Sequence, residues 1–389
     1  MQRDVAVIGG GLLGTAAAYY LARAGADVLL LEKDQLNCHA SGQNAGSLHF
    51  QLEFRMVEHG DDLTEAFART LPLVLEAQRG WGELERELET DLEVIQAGGL
   101  MLVETREQQE VLSRKQAIER RWGLRTELLT GDEARSLAPY LSQSVRAAGW
   151  CPDEGHANPR LIAPAFARAA LRLGAEIRAG TRAVGLARRS GGWRVSVEPG
   201  PEIRAESVLV TAGIWTGQVT ALADVRLPVI PVGLSMLATE TAAPLIGHLV
   251  QHVGYRLSLK QAHDGNVLIG GGWASKLIQR RGVVDLERRP ELRLESLAGN
   301  ASTACRAVPA IRSLAVLRAW SGVAAVTADQ LPLLGELRRR PGLFVAACGP
   351  GFTLGPTYAR LVSQLVLAGR SELAIDAYSP NRFAHLNVV

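Results

Sequence analysis

The chain has 389 residues, enough for two to three domains at roughly 150 residues each. Lys and Arg number 42 against 40 Asp and Glu, a formal charge of +2, which argues against a partner such as nucleic acid held through a general basic field. Hydrophobic residues make up 47% and charged residues 21%, which excludes a disordered chain and supplies a sizeable core.

The first residues run straight into a strand-like segment, so no secretory signal is expected. The longest uncharged stretches, 207–223 and 341–359, carry too much Gly, Pro and Thr for a membrane span. Cys38, Cys151, Cys305 and Cys348 are scattered, without a CxxC pair or metal-like spacing to histidine. The expectation is a cytoplasmic protein with packed thiols and no metal, peripheral to the inner membrane only through a partner.

In chain order, 5–8 reads as a buried strand, and Gly9-Gly10-Gly11-Leu12-Leu13-Gly14 follows at once. An alanine-rich helix over 15–24 ends at Gly25, and a second buried strand over 28–31 ends at Glu32. This is the βαβ dinucleotide fingerprint. Gly9 allows the tight turn, Gly11 admits a pyrophosphate, and Gly14 lets helix and strand pack closely. The helix N-terminus offers free N–H groups to phosphate, and Glu32 is placed for the ribose hydroxyls.

Beyond it, 63–88 predicts a helix, 92–103 strands joined at Gly98-Gly99, and 107–121 a polar-faced helix. An amphipathic helix over 159–173 leads to a strand at 176–179, and 207–211 is another buried strand. The stretch 229–272 reads as several antiparallel strands. A strand at 343–347, a glycine-proline loop and a helix over 356–367 follow. These alternations give an α/β fold: a doubly wound nucleotide-binding domain in discontinuous pieces, with an inserted α+β domain on an antiparallel sheet. The pieces are 1–85, 145–222 and 310–389 for the first domain, and 86–144 with 223–309 for the substrate-binding one.

The run Ala40-Ser41-Gly42-Gln43-Asn44-Ala45-Gly46-Ser47 resembles the loop that wraps the FAD pyrophosphate and flavin in the D-amino acid oxidase, glycine oxidase and sarcosine oxidase superfamily. Three further segments are similar to that superfamily: 208–213, Trp320 to Gly335 with Thr327 and Asp329, and Cys348 to Pro356. The resemblance implies FAD, held by Gly9, Gly11, Gly14, Glu32, Ser41, Gln43, Asn44, Ala45, Gly46, Ala212, Gly213, Asp329, Gly349, Gly351, Phe352 and Thr353. A narrower likeness, at 257–261 and 268–273, is to catalytic subunits of D-hydroxyproline dehydrogenase, opine oxidase and hydrogen cyanide synthase.

That likeness implies hydride removal from a carbon bearing an amine, delivered to flavin N5 on a small amino-acid-like substrate. A second flavin or iron–sulfur subunit would then accept the electrons, since this chain has no cysteine cluster for such a centre. A self-sufficient oxidase using oxygen and a non-catalytic FAD-binding subunit are the alternatives.

The arginine and lysine that relatives use for a carboxylate fall here at Ala324 and Thr353. The replacements considered are His49, Arg55, Tyr255, Arg256 and Lys260. His49 is either a substrate-facing residue beyond the flavin loop or a plain loop histidine. Lys260 is either the flavin-side lysine of sarcosine-oxidase-like proteins or a solvated strand residue. Tyr255 and Arg256 are expected on opposite faces of a strand, His156 in a turn, and Arg338-Arg339-Arg340 as a solvated run or docking patch.

Overall fold

In the computed structural model, which describes every residue except 1, 55, 56, 58, 59, 388 and 389, strand alternation sorts the first core into two faces. From β1 (Gln2–Ile8) and β2 (Val28–Leu31), Val5, Val7, Val28 and Leu30 pack on one side of the sheet. Ala6, Ile8, Leu29 and Leu31 pack on the other, as the period of two requires. Between the strands runs α1 (Leu12–Arg23), which lies on the first face with helices Pro159–Arg172 and Gly355–Ala368. The second face is covered by the antiparallel ribbon Arg182–Arg189 and Gly192–Glu198, whose Trp193, Val195 and Val197 point inward.

The strand order is Leu333–Glu336, Leu343–Ala347, Ile203–Val210, β1, β2 and Glu176–Arg178. From Leu343–Ala347 onward neighbouring strands along this path are parallel, so their C-terminal ends share one edge, where glycine turns and ligands collect.

The second sheet runs Val316–Val326, Ile230–Thr241, Asn266–Gly270, Ser258–Gln261, Leu249–His252, Gly99–Val103, Ala147–Cys151 and Glu127–Thr130. All its pairs are antiparallel except Leu249–His252 with Gly99–Val103. Helix Leu294–Ala307 covers one face through Ala304 and Ala307. Two strands fall outside the boundaries drawn from sequence. Ala147–Cys151 and Val316–Val326, grouped there with the nucleotide-binding pieces, pair in this second sheet. Neither segment carries the alternation that marks a strand, so neither is legible as one in the sequence.

Other differences are local. The helix expected over 63–88 is broken into Asp61–Ala68 and Leu71–Leu88, with Pro72 in the first turn of the second. Only Gly99–Val103 forms a strand within 92–103. Among the described residues no helix is long and apolar enough to cross a membrane.

Candidate active site

At the end of β1 the chain turns through Gly9, whose φ is +117° and whose Cβ would lie 2.5 Å from the Thr211 carbonyl oxygen. A Cβ on Gly14 would lie 1.8 Å from Gly9 O, so α1 starts flush against the turn. Gly11 faces Ser41, with Oγ 2.8 Å from where its Cβ would be, and that hydroxyl accepts the N–H of Leu12 at 2.9 Å. Glu32, buried at the end of β2, accepts Gly10 N–H at 2.6 Å through Oε2 and Asp34 N–H at 2.8 Å through Oε1.

These elements open on a cavity of about 550 Å³ lined by Gly9, Gly11, Glu32, Ser41, Gln43, Ala212 and Gly213. Its size lies in the range of cofactor pockets, and its donors fit a dinucleotide: helix-start N–H groups for phosphate and a carboxylate for ribose. Sequence reading missed other parts of the wall: Thr211, Lys33, His39, Trp215 and Arg182, together with 286–290 from the second sheet's side. Asp34, Cys38 and His39 bring ligand atoms within 4.8 Å of one another. The Asp34 carboxylate, however, already pairs with Lys33 at 2.8 Å and His39 at 2.7 Å.

A second cluster forms where the flavin-loop segment meets the second sheet. Ser47 and Leu48 pair with His156 and Gly155 in a short ladder, so His156 sits in a strand rather than a turn. His49 follows, with its Nε2 3.2 Å from Ser258 Oγ, which is 3.3 Å from Ser47 Oγ. Its Nδ1 is buried without a partner. If Ser258 donates to Nε2, the ring proton stands on Nδ1 as a free donor. Burial first, and the nearby Lys260 charge second, hold His49 down to about 4.

Lys260 is 3% exposed, and its Nζ lies 3.1 Å from where a Gly46 Cβ would stand. Its amino group makes no hydrogen bond or ion pair among the described residues. Burial pushes its pKa well below the usual lysine range, and the Glu93 charge offsets this only in part. The loop of Gly349, Gly351, Phe352 and Thr353 closes the cluster. Thr353 Oγ1 lies 3.4 Å from His49 N and 3.3 Å from Ser47 O, and Trp81 Nε1 donates to Thr353 O at 2.7 Å. Asn44 shapes the loop between the two regions, accepting Gly46 N–H at 2.7 Å beside Ala45. Trp320 Nε1 donates to Gln43 O at 2.7 Å, tying the second sheet to the same loop.

The remaining candidates lie elsewhere. Tyr255 and Arg256 occupy a bend between strands Leu249–His252 and Ser258–Gln261, not a strand. Tyr255 packs on His252, under Arg306, and the exposed Arg256 lies over Trp273. Among the described residues no hydrogen bond, ion pair or ring contact joins either side chain to the His49 cluster, and the chain leaves the strand at His252 before reaching them. Arg55 lies outside the described residues. Asp329 holds Arg382 in a two-point ion pair and accepts Thr327 Oγ1 at 2.7 Å, shaping a turn away from the cavity wall. Cys348 is 6% exposed, and burial pushes its thiol up to about 12. Arg340 donates to Ala223 O at 2.6 Å, and Arg339 to Asn387 O at 2.5 Å, so two of the three arginines knit the surface.

Comparison with known proteins matches this arrangement along its length. The chain is 26% identical over 391 residues to one of the subunits of opine oxidase from Rhizobium meliloti, covering 98% of this chain and 97% of that one. It is 29% identical over 385 residues to glycine oxidase of Geobacillus kaustophilus, covering 96% and 94%. The crystal structure of glycine oxidase from that organism superposes with a TM-score of 0.86 at 26% identity, over 98% of this chain and 99% of that one. The family model of FAD dependent oxidoreductases (DAO) matches residues 4–365. The cleft and the cluster beside it therefore belong to a member of the FAD-dependent oxidoreductase family.

Proposed function

We propose that the chain oxidises the C–N bond of an amino-acid-like amine that carries a carboxylate, as the catalytic subunit of a heteromeric dehydrogenase. The substrate is of the D-hydroxyproline or D-proline, opine or glycine type. The observation that carries this reading is the buried, unpaired amino group of Lys260 beside Gly46 and His49. A buried amine without a counter-charge stays neutral until an anion or a proton donor arrives.

An amino-acid zwitterion brings both. One N–H bond breaks on the substrate ammonium and one forms on Lys260 Nζ, leaving a neutral amine and a lysine ammonium. That ammonium then pairs with the substrate carboxylate. His49 Nδ1 and the Ser258 hydroxyl supply the orienting hydrogen bonds. FAD, held by the glycine turn, Glu32, Ser41 and Gln43, supplies the two-electron acceptor for the C–H bond beside the amine. Thr353 and Trp81 fix the loop that shields this cluster from water.

The opine oxidase likeness is to a protein named as one subunit of its enzyme, which supports a partner as electron acceptor. The glycine oxidase likeness supports the second reading, in which oxygen takes the electrons within this chain alone. An anaerobic absorption titration tests both, adding D-hydroxyproline, D-proline, octopine, nopaline, sarcosine and glycine in turn before admitting air. Bleaching with slow recovery is expected. Rapid recovery with peroxide selects the oxidase, and no bleaching by any amine, with partners present, overturns the catalytic reading.

A further inference from the structure

A hairpin leaves the second sheet's side at Lys276 and returns at Glu291, and these two residues pair at its base. Gln279–Arg280 and Val283–Val284 form its ladder, and Asp285 N–H donates to Ile278 O at 2.8 Å. Pro290 O accepts Ser321 Oγ at 2.6 Å, which fixes where the returning limb lies. Residues 286–290 of that limb form part of the wall of the cofactor cleft.

Glu287 on the limb reaches two cations of the nucleotide-binding sheet's side, Lys33 at 2.7 Å and Arg182 at 3.3 Å. The next two residues, Arg288 and Arg289, also line the cleft. Neither guanidinium has a hydrogen bond or ion pair among the described residues. Asp34 pairs with Lys33 and Glu287 with Arg182, so Arg288 and Arg289 are the two cations of the wall without an acidic partner among the described residues. Their two charges match those of a pyrophosphate diester. The glycine turn supplies only N–H groups and a helix dipole to such a group, so its charge has no other full counter-ion in the cleft.

We infer that Arg288 and Arg289 clamp the pyrophosphate of the bound dinucleotide, carried there by the hairpin and latched through Glu287. The inference rests on FAD occupying this cleft and is independent of which amine is oxidised. The fork geometry and permanent charge of arginine suit phosphate oxygens. The clamp also makes cofactor binding depend on the second sheet's side of the molecule.

The test compares apo-protein with the Arg288→Gln/Arg289→Gln variant, which keeps side-chain length and polarity. FAD, ADP and adenosine are titrated by fluorescence and calorimetry at low and high NaCl. The clamp predicts that FAD and ADP bind the variant at least about tenfold more weakly while adenosine is unaffected. It also predicts that salt weakens ADP binding more in the parent than in the variant. Unchanged FAD and ADP affinities overturn it, as does an equal loss for adenosine, which would mark the arginines as shaping the cleft. Flavin bleaching is read separately, so failure of the amine-oxidation reading leaves this result standing.

Discussion

Glu154 accepts the backbone N–H of Phe50 at 2.8 Å, one residue past His49. The same carboxylate takes Gln51 N–H at 2.9 Å and the Gln51 side chain at 2.9 Å. Glu119, paired with Lys115 at 2.6 Å, takes Leu52 N–H at 2.7 Å. Three consecutive backbone donors are thus fixed by two fully buried carboxylates, and the rigid segment sets where the His49 ring stands.

Glu154→Ala would leave those buried donors unsatisfied and is expected to lower stability by about 3 kcal/mol or more. FAD retention should change little, because Glu154 is not on the cleft wall. Thermal unfolding and the substrate-driven rate of flavin bleaching check this together. An unchanged bleaching rate would show that this network does not position His49.

Lys260 separates stability from function. Burial destabilises the charged form of its amine, whereas in the unfolded chain that amine is solvated. Lys260→Met should therefore raise the unfolding temperature of the apo-protein, by a stabilisation of about 1–3 kcal/mol. The same variant should lose most amine-driven bleaching. A destabilised variant with intact bleaching would refute both roles.

The pH dependence has a defined sign. His49 is held at about 4 in the fold against about 6.5 unfolded. Between those values the unfolded chain binds more protons, so stability falls as pH drops from about 6.5 toward 4. His156, held at about 3, and His252, at about 4, act the same way. His49→Gln should flatten the slope by up to about 1.4 kcal/mol per pH unit, which denaturant titrations at several pH values would measure.

What was legible in the sequence was local. The turn, helix and acid between Gly9 and Glu32 interact within one βαβ unit, so spacing alone located them. The His49–Ser258 contact joins residues 209 apart, and nothing in a serine's neighbourhood along the chain announces such a partner. Val316–Val326 lacks apolar–polar alternation and buries only Ser321, so neither the strand nor its place beside Ile230–Thr241 was legible along the chain. Arg288 and Arg289 belong to no motif along the chain, and only the hairpin's return limb brings them to the cleft.

Trp320 gives the link between the two sheets a measurable consequence. Its indole N–H holds Gln43 O at 2.7 Å, and Gly322 on the same strand lies where a Cβ would approach Gln43 Oε1 at 3.3 Å. Gln43 also lines the cofactor cleft, so the strand and the cofactor share one loop. Trp320→Phe keeps most of the apolar contact but removes the donor, leaving a part-buried carbonyl without that bond. FAD affinity should fall by about three- to tenfold with little change in thermal stability of the apo-protein, a hydrogen bond's net worth being about 1 kcal/mol. Fluorescence titration of the apo-variant measures it. Unaltered affinity would mean that the loop holds its cofactor-binding shape without the second sheet.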